Sequence, residues 1–299
     1  MPLKLFPLFI CFPFLSIAQQ IKPLYSGTIP NSTGYEMKEV TLLRNEVFLG
    51  YSKVSDPTIQ SFLPVNKTEP SSAVIICPGG GYAMESYRLE GTRIAEEFQK
   101  KGIAAFVLKY RLPSDSIMVD KTIGPLQDAQ QALLRVRQQA KELNIDPNKI
   151  GIMGFSAGGH LASTAGTHFE KSYVDNSEKI SLRPDFMVLI YPVISMQDSL
   201  THAGSRNLLL GLSPTEKEKD LFSNELHITK NTPPTWLTHT GDDTVVNVEN
   251  SIKFYQGLIS NEVPAEMHLY PKGNHGFVLS IPAEQWMVPL FDWLEKSGF

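Results

Sequence analysis

Ile150-Gly151-Ile152-Met153-Gly154-Phe155-Ser156-Ala157-Gly158-Gly159-His160-Leu161-Ala162 is the stretch that decides the fold. A continuous apolar run enters Gly154-Phe155-Ser156-Ala157-Gly158, and a helix of small residues leaves it. An apolar run of strand length, without polar alternation, marks a strand buried on both faces. The pentapeptide matches G-x-S-x-G, whose glycines permit a sharp, strained turn from strand to helix. Such a turn lifts the serine hydroxyl clear of the sheet, with the next helix's N-terminus behind it. Ser156 is therefore the candidate nucleophile.

The same rhythm of apolar run and helical periodicity continues on both sides. Before the serine it predicts strands at 73–77 and 104–108, with helices near 90–101 and 124–143. After it come strands at 186–190, 236–239 and 266–270, and helices near 248–260 and 283–296. Alternating strands and helices define an α/β class with a mostly parallel central sheet and helices on both faces. Pro78, Pro192 and Pro271 directly follow strands, where proline stops a strand without removing a ladder bond. Residues 20–70 read as an irregular lead-in followed by short strands at 47–51 and 58–63. Residues 195–232, polar and proline-containing, break the rhythm and are expected to form a short lid insertion over the functional edge of the sheet.

Composition bounds the rest. The chain has 299 residues, 42% hydrophobic and 19% charged, as expected of an ordinary globular protein. A net charge of −4 without a basic block argues against nucleic acid or an acidic membrane surface as partner. Lys4, the apolar run 5–15 and Ser16-Ile17-Ala18 read as an export signal, residues 1–18, removed before Gln19. The run is shorter than the ~20 residues a membrane span needs, and it contains Pro7 and Pro13. A periplasmic or extracellular protein with one domain over 19–299 is the expectation. Bulky Ile10 before Cys11 argues against a lipoprotein. With the leader gone, Cys77 is the one cysteine, so the core rather than a disulfide must hold the fold.

A serine hydroxyl is a poor nucleophile at neutral pH and needs a base within hydrogen-bond reach. After a nucleophile turn of this kind, acid and histidine follow in the order Ser, Asp, His. Gly241-Asp242-Asp243-Thr244-Val245-Val246 lies just past the 236–239 strand, where the acid belongs. Asp243 is favoured because it precedes Val246 by three residues; Asp242 is read as a brace for the loop, and Asp198 ranks third. Of seven histidines, His275 alone sits between glycines on the loop after the last strand, in Lys272-Gly273-Asn274-His275-Gly276. Cys77-Pro78-Gly79-Gly80-Gly81-Tyr82 supplies an oxyanion loop, with the N–H groups of Gly80, Gly81 and Ala157 as donors. Tyr82, His202 and Arg206 are the candidate substrate-binding side chains. The chemistry calls for no metal and no organic cofactor.

Several segments together give a family likeness. They are Pro78-Gly79-Gly80-Gly81-Tyr82, Glu90-Gly91, Leu108-Lys109-Tyr110-Arg111-Leu112-Pro113, the serine motif and Thr240-Gly241-Asp242-Asp243-Thr244-Val245-Val246. With Ser205-Arg206-Asn207-Leu208-Leu209-Leu210-Gly211 and Asn231-Thr232-Pro233-Pro234, the chain resembles the exported bacterial acetyl xylan esterase-like α/β hydrolases. Two departures stand out: Pro78 where related esterases carry histidine, and Asn247 where relatives usually have a stiffening proline. The resemblance implies the α/β-hydrolase fold and a serine esterase removing acetyl groups from xylan-type polysaccharide or oligosaccharide. Feruloyl or other small-ester hydrolysis is the rival expectation. A prolyl-oligopeptidase-like peptidase shares the triad order, but the stretch before Ser72 is too short for the propeller such enzymes carry. A non-catalytic carbohydrate-binding scaffold fits poorly with a complete triad.

Overall fold

Short runs that are apolar at every position pair their backbones here in a sheet covered on both faces. The structure, a computed structural model, describes residues 19–65 and 67–299; the expected leader, residues 1–18, lies outside the described residues. The chain begins with strands β1 (Gln19–Pro23), β2 (Val40–Arg44), β3 (Val47–Ser52), β4 (Thr58–Phe62), β5 (Ser71–Cys77) and β6 (Met84–Glu85). A π-helical turn, Tyr87–Thr92, leads into α1 (Arg93–Lys100), β7 (Ala104–Lys109), α2 (Gly124–Gln138), β8 (Ile145–Phe155) and α3 (Ser156–Thr167). After β9 (Met187–Ile190) come α4 (Ala203–Leu210), α5 (Glu216–Leu221) and a 3-10 turn at Asn224–Leu226. Then follow β10 (Thr235–Thr240), α6 (Glu249–Ser260), β11 (Ala265–Tyr270), a 3-10 turn at Phe277–Leu279 and α7 (Ala283–Lys296).

Eight strands pair in the order β1-β4-β7-β5-β8-β9-β10-β11, and β2, β3 and β6 form a small second sheet. From β7 to β11 the neighbours are parallel, and β4 and β1 extend the sheet antiparallel. Alternation along β5 shows how the two faces are filled. Ala73, Ile75 and Cys77 join one core with Leu133 of α2, Leu161 of α3 and Phe254 of α6. Val74 and Ile76 join the opposite core with Phe98 of α1 and Trp286 and Leu290 of α7. No helix among the described residues is long and apolar enough to cross a membrane.

Several elements differ from the sequence expectation, β2 (Val40–Arg44) in the expected lead-in among them. Residues 19–23 form an edge strand rather than irregular lead-in; all five are exposed, so no apolar alternation announces it. The helix expected from residue 90 starts at Arg93, because the wider π-turn before it turns Tyr87 and Glu90 inward. The helix expected to reach residue 143 ends at Gln138, where tight turns ending in left-handed Asn144 (φ 54) feed an earlier start of β8.

The 195–232 insertion is sewn to helices α6 and α3 by buried amides. Asn250 Oδ1 accepts the N–H groups of Ile194 (2.9 Å) and Ser195 (3.0 Å). Asn224 Nδ2 donates to Ser163 Oγ (2.7 Å), Thr164 Oγ1 (3.0 Å) and His160 O (3.2 Å). Fully satisfied buried polar groups of this kind fix one packing geometry.

A second buried tie secures the lead-in. Arg111 donates to Asp128 from its backbone N–H (2.8 Å), Nε and Nη2 (2.8 Å), and from Nη1 to Pro30 O at 2.8 Å. Tyr25 O–H donates to the same carboxylate at 2.8 Å, and both ion-pair side chains are at most 1% exposed. Removing one charge from a buried pair strands the other, at a cost of about 3–5 kcal/mol. Asp128→Asn should therefore lower unfolding stability by about that amount in urea titrations. A loss below about 1 kcal/mol would show that packing, not the ion pair, secures this region.

Candidate active site

At the β8–α3 junction the backbone of Ser156 takes φ 52, a left-handed conformation costly for a residue with a Cβ. Close packing of the glycine loop behind it explains the small residues of α3: a Cβ on Gly158 would lie 2.1 Å from Cys77 O. Ser156 is 6% exposed, and its Oγ lies 2.9 Å from His275 Nε2.

His275 Nδ1 lies 2.7 Å from Asp243 Oδ2. The carboxylate can only accept, so Nδ1 carries the proton and Nε2 faces the serine as acceptor. Asp243 Oδ1 also accepts the N–H groups of Val245 and Val246, each at 2.9 Å. His239 Nε2 approaches Asp243 Oδ2 (3.1 Å) and Val246 O (3.0 Å), while its Nδ1 meets Ser251 Oγ at 2.8 Å. The Val246 carbonyl assigns the proton to His239 Nε2, which therefore donates to Asp243 as well. Burial pushes the Asp243 carboxyl up, but the hydrogen bonds from His239, His275 and Val246 outweigh it and hold it well below the usual carboxylate range.

Asp242 does not reach the imidazole. Its Oδ1 accepts Asn274 N–H at 2.8 Å, bracing the histidine loop against the acid loop as expected of it. Asn274 completes that brace: its Oδ1 accepts Thr244 N–H (3.0 Å) and His275 N–H (2.8 Å). Asn247, in place of the expected proline, stiffens the same loop by accepting Glu249 N–H at 2.9 Å. Asp198 is taken up far from the imidazole by Arg206 and Lys219.

The glycine loop follows β5 and packs beside the serine. Gly80 takes φ 133, and a Cβ there would lie 2.2 Å from Met84 O, so only glycine fits. Pro78 O accepts Tyr110 O–H at 2.8 Å, which anchors the loop's first residue. Ala157 lies in the first turn of α3, where backbone N–H groups have no helical partner.

The three substrate-binding candidates separate. Tyr82 is a correction: at 2% exposure its hydroxyl donates to His160 Nδ1 (2.8 Å), and His160 Nε2 donates to Phe222 O (2.8 Å). Burial pulls His160 down to about 4, so it stays a neutral bridge between glycine loop and insertion. Arg206 turns into the insertion, where Nη1 donates to Asp198 and to Met196 O, while its buried Nε has no hydrogen-bond partner among the described residues. His202 remains at the site. It caps α4 by accepting Ser205 N–H at 3.2 Å, and its Cε1 lies 3.8 Å from where a Cβ on Gly81 would stand.

Sequence reasoning gave no site role to His239, Asn274 or Tyr191, and named Glu90 only within the family likeness. His239 stands four residues before Asp243 and Asn274 adjoins His275, so nearness to the triad was the available signal. Tyr191 and Glu90 are distant in sequence and meet only in the fold, where Tyr191 O–H donates to Glu90 Oε1 at 2.7 Å.

A serine on a strand-to-helix turn, with acid and imidazole on the loops after two later parallel strands, belongs to the α/β-hydrolase fold. Within that class the chain is a member of the BD-FAE family, which matches residues 59–258. Over 210 residues, 69% of this chain, it is 40% identical to endo-1,4-beta-xylanase B of Butyrivibrio fibrisolvens. Over 220 residues, 72% of this chain, it is 38% identical to the acetylxylan esterase of Xylanibacter ruminicola. The chain spans 32% and 42% of the length of these curated relatives. Among solved structures it is similar to the acetyl ester-xyloside bifunctional hydrolase from Caldicellulosiruptor lactoaceticus. That match has a TM-score of 0.78 at 36% identity and covers 94% of this chain and 97% of that one.

The two neighbouring aspartates should respond differently to the same change. Asp243→Asn removes the acceptor that sets the His275 tautomer and should lower kcat by about 10³–10⁴-fold. Asp242→Asn, touching only the brace, should cost less than about tenfold. Matched kinetics giving the reverse ranking would assign the acid role to Asp242.

Proposed function

We propose that this chain is a serine esterase that removes acetyl groups from xylan-type polysaccharide or oligosaccharide through an acyl-enzyme. One observation carries the reading: the unbroken hydrogen-bond relay from Ser156 Oγ through His275 to Asp243, at 2.9 Å and 2.7 Å. The xylan-related relatives supply the substrate class, since both curated names and the similar solved structure refer to xylan or xyloside chemistry.

Ser156 Oγ attacks the acetyl carbonyl carbon while its proton passes to His275 Nε2. The carbonyl electrons move onto oxygen, and that oxyanion is held by the N–H groups of Ala157 and of Gly80 or Gly81. Collapse breaks the bond to the sugar oxygen, which leaves with the proton from His275. Water then attacks the acyl-enzyme with His275 as base, and acetate departs. Asp243, kept ionised by its donors, favours the imidazolium in both halves. The leader-like residues 1–18 support export, which would leave a single hydrolase domain over 19–299 to meet its substrate outside the cytoplasm.

His202 is the side chain favoured for contacting sugar. Burial and the nearby His275 lower its pKa, and its Nδ1 is engaged by Ser205, so the neutral ring presents an Nε2–H donor.

Acetate release from acetylated xylo-oligosaccharides, compared with methyl ferulate and an aminoacyl-proline amide, tests the assignment. The acetylated sugar should be the best substrate by kcat/KM, and preference for the ferulate ester or the amide would overturn it. Ser156→Ala should retain only the residual rate left by binding and the oxyanion loop, about 10³–10⁴-fold above the uncatalysed reaction. Retention of more than about a tenth of wild-type turnover would remove Ser156 from the mechanism.

His202→Ala should raise KM for the oligosaccharide by about fivefold to tenfold with little change toward a small aryl acetate, which draws on no remote binding energy. Equal losses on both substrates would assign His202 a structural role.

A further inference from the structure

A buried carboxylate beside the triad has no part in the relay. Glu90, in the π-helical turn, is 6% exposed. Its Oε2 accepts Gly79 N–H at 2.8 Å, and its Oε1 accepts Tyr191 O–H at 2.7 Å. Gly79 is the first glycine of the loop, and a Cβ there would lie 3.0 Å from Ser156 Cβ. Gly79 O accepts Ser86 N–H (2.8 Å), and Ser86 O accepts Glu90 N–H (2.9 Å). Both ends of the Gly79 residue are thus held by one turn.

The other arm of the carboxylate reaches the base. Tyr191 directly follows β9, is fully buried, and has its backbone at φ 36. Its ring packs on His275 with centroids 4.7 Å apart and planes inclined by 57°. An aromatic face beside an imidazole favours the protonated ring. Donation of the tyrosine O–H to an anion enriches that face further.

We propose that Glu90 is a positioning residue that holds the glycine loop and the His275 ring in one register and, through Tyr191, favours the imidazolium formed in the transition state. The inference rests on the reading of Ser156 and His275 as nucleophile and base. A buried carboxylate is costly unless its hydrogen bonds are made, and both Glu90 oxygens have their donor here. The π-turn has its explanation in the same network, since its wide pitch brings Glu90 inward between Gly79 and Tyr191. Burial pushes the Glu90 carboxyl up, against Tyr191, Gly79 and His275, which draw it down. The groups facing His275 are Asp243, Ser156, Tyr191, His202 and Glu90. Of these, Asp243 and Glu90 are the two carboxylates.

Glu90→Gln and Tyr191→Phe, separately and combined, test the proposal with p-nitrophenyl acetate as probe and Ser156→Ala as control. Each single change should lower kcat by about tenfold to a hundredfold with KM within about threefold, because the network acts after binding. The acid limb of the kcat/KM profile should move to lower pH in both, since an imidazolium with less support takes up its proton less readily. The double variant should be no worse than the poorer single one within about threefold, as expected of residues acting as one unit. Should Glu90→Gln fail to fold, the kcat and pH profile of Tyr191→Phe decide the matter alone. Wild-type kcat and pH profile in the folded variants would overturn the proposal. So would multiplicative losses with an unmoved profile, which describe two separate packing defects. Hydrolysis surviving in Ser156→Ala would instead strike the nucleophile reading beneath it.

Discussion

Four N–H groups converge on the Asp243 carboxylate: two imidazole donors, from His239 and His275, and two backbone donors, from Val245 and Val246. A carboxylate so supplied remains an anion although buried, and its direction in space is set by its donors. His275 can then adopt only one tautomer, which turns its basic nitrogen toward Ser156. Loosening this carboxylate would release the imidazole even if the serine turn were untouched. The acid loop is itself held by the Asp242–Asn274 brace, so loop and histidine form one rigid unit.

The sheet delivers these groups in spatial order. Neighbouring parallel strands β5, β8, β9, β10 and β11 lead at their carboxyl ends into the glycine loop, Ser156, Tyr191, Asp243 and His275. Parallel register makes all five loops emerge at one edge, where α/β sheets bind ligands. Strain at Ser156 and Tyr191, both with positive φ, is carried by buried strands on either side rather than by flexible loops. The insertion completes the rim. Asn224 and Asn250 fix its base, and His160 links it to Tyr82 of the glycine loop. Within it, Arg206 ties Asp198 to Met196, while His202 lies beside the glycine loop.

Local signals were enough for much of the design. The run 150–155 carries no polar residue that could face water, which is why β8 and its turn were legible. The strands at 73–77 and 104–108 were legible for the same reason, and the long helix after β7 by its helical periodicity, since such patterns depend on burial by any partner. Ser156, Asp243 and His275 could be picked out because each lies directly after a readable strand. Edge strand β1 was not readable, because its stabilisation comes from pairing with β4 and not from its own side chains.

What the sequence by itself determined was the layered α/β architecture, and it singled out three residues that the fold brings into hydrogen-bond contact, since hydrophobic periodicity and turn chemistry are local properties. Tertiary structure alone decided which polar side chains were free. Tyr82 has the right chemistry to bind a sugar, yet His160 had already claimed its hydroxyl. Conversely, Glu90 and Tyr191 are 101 positions apart and show no local mark of partnership. A hydrogen bond saturates its donor and acceptor, so the partners left over for a ligand are known only once every internal pairing is made.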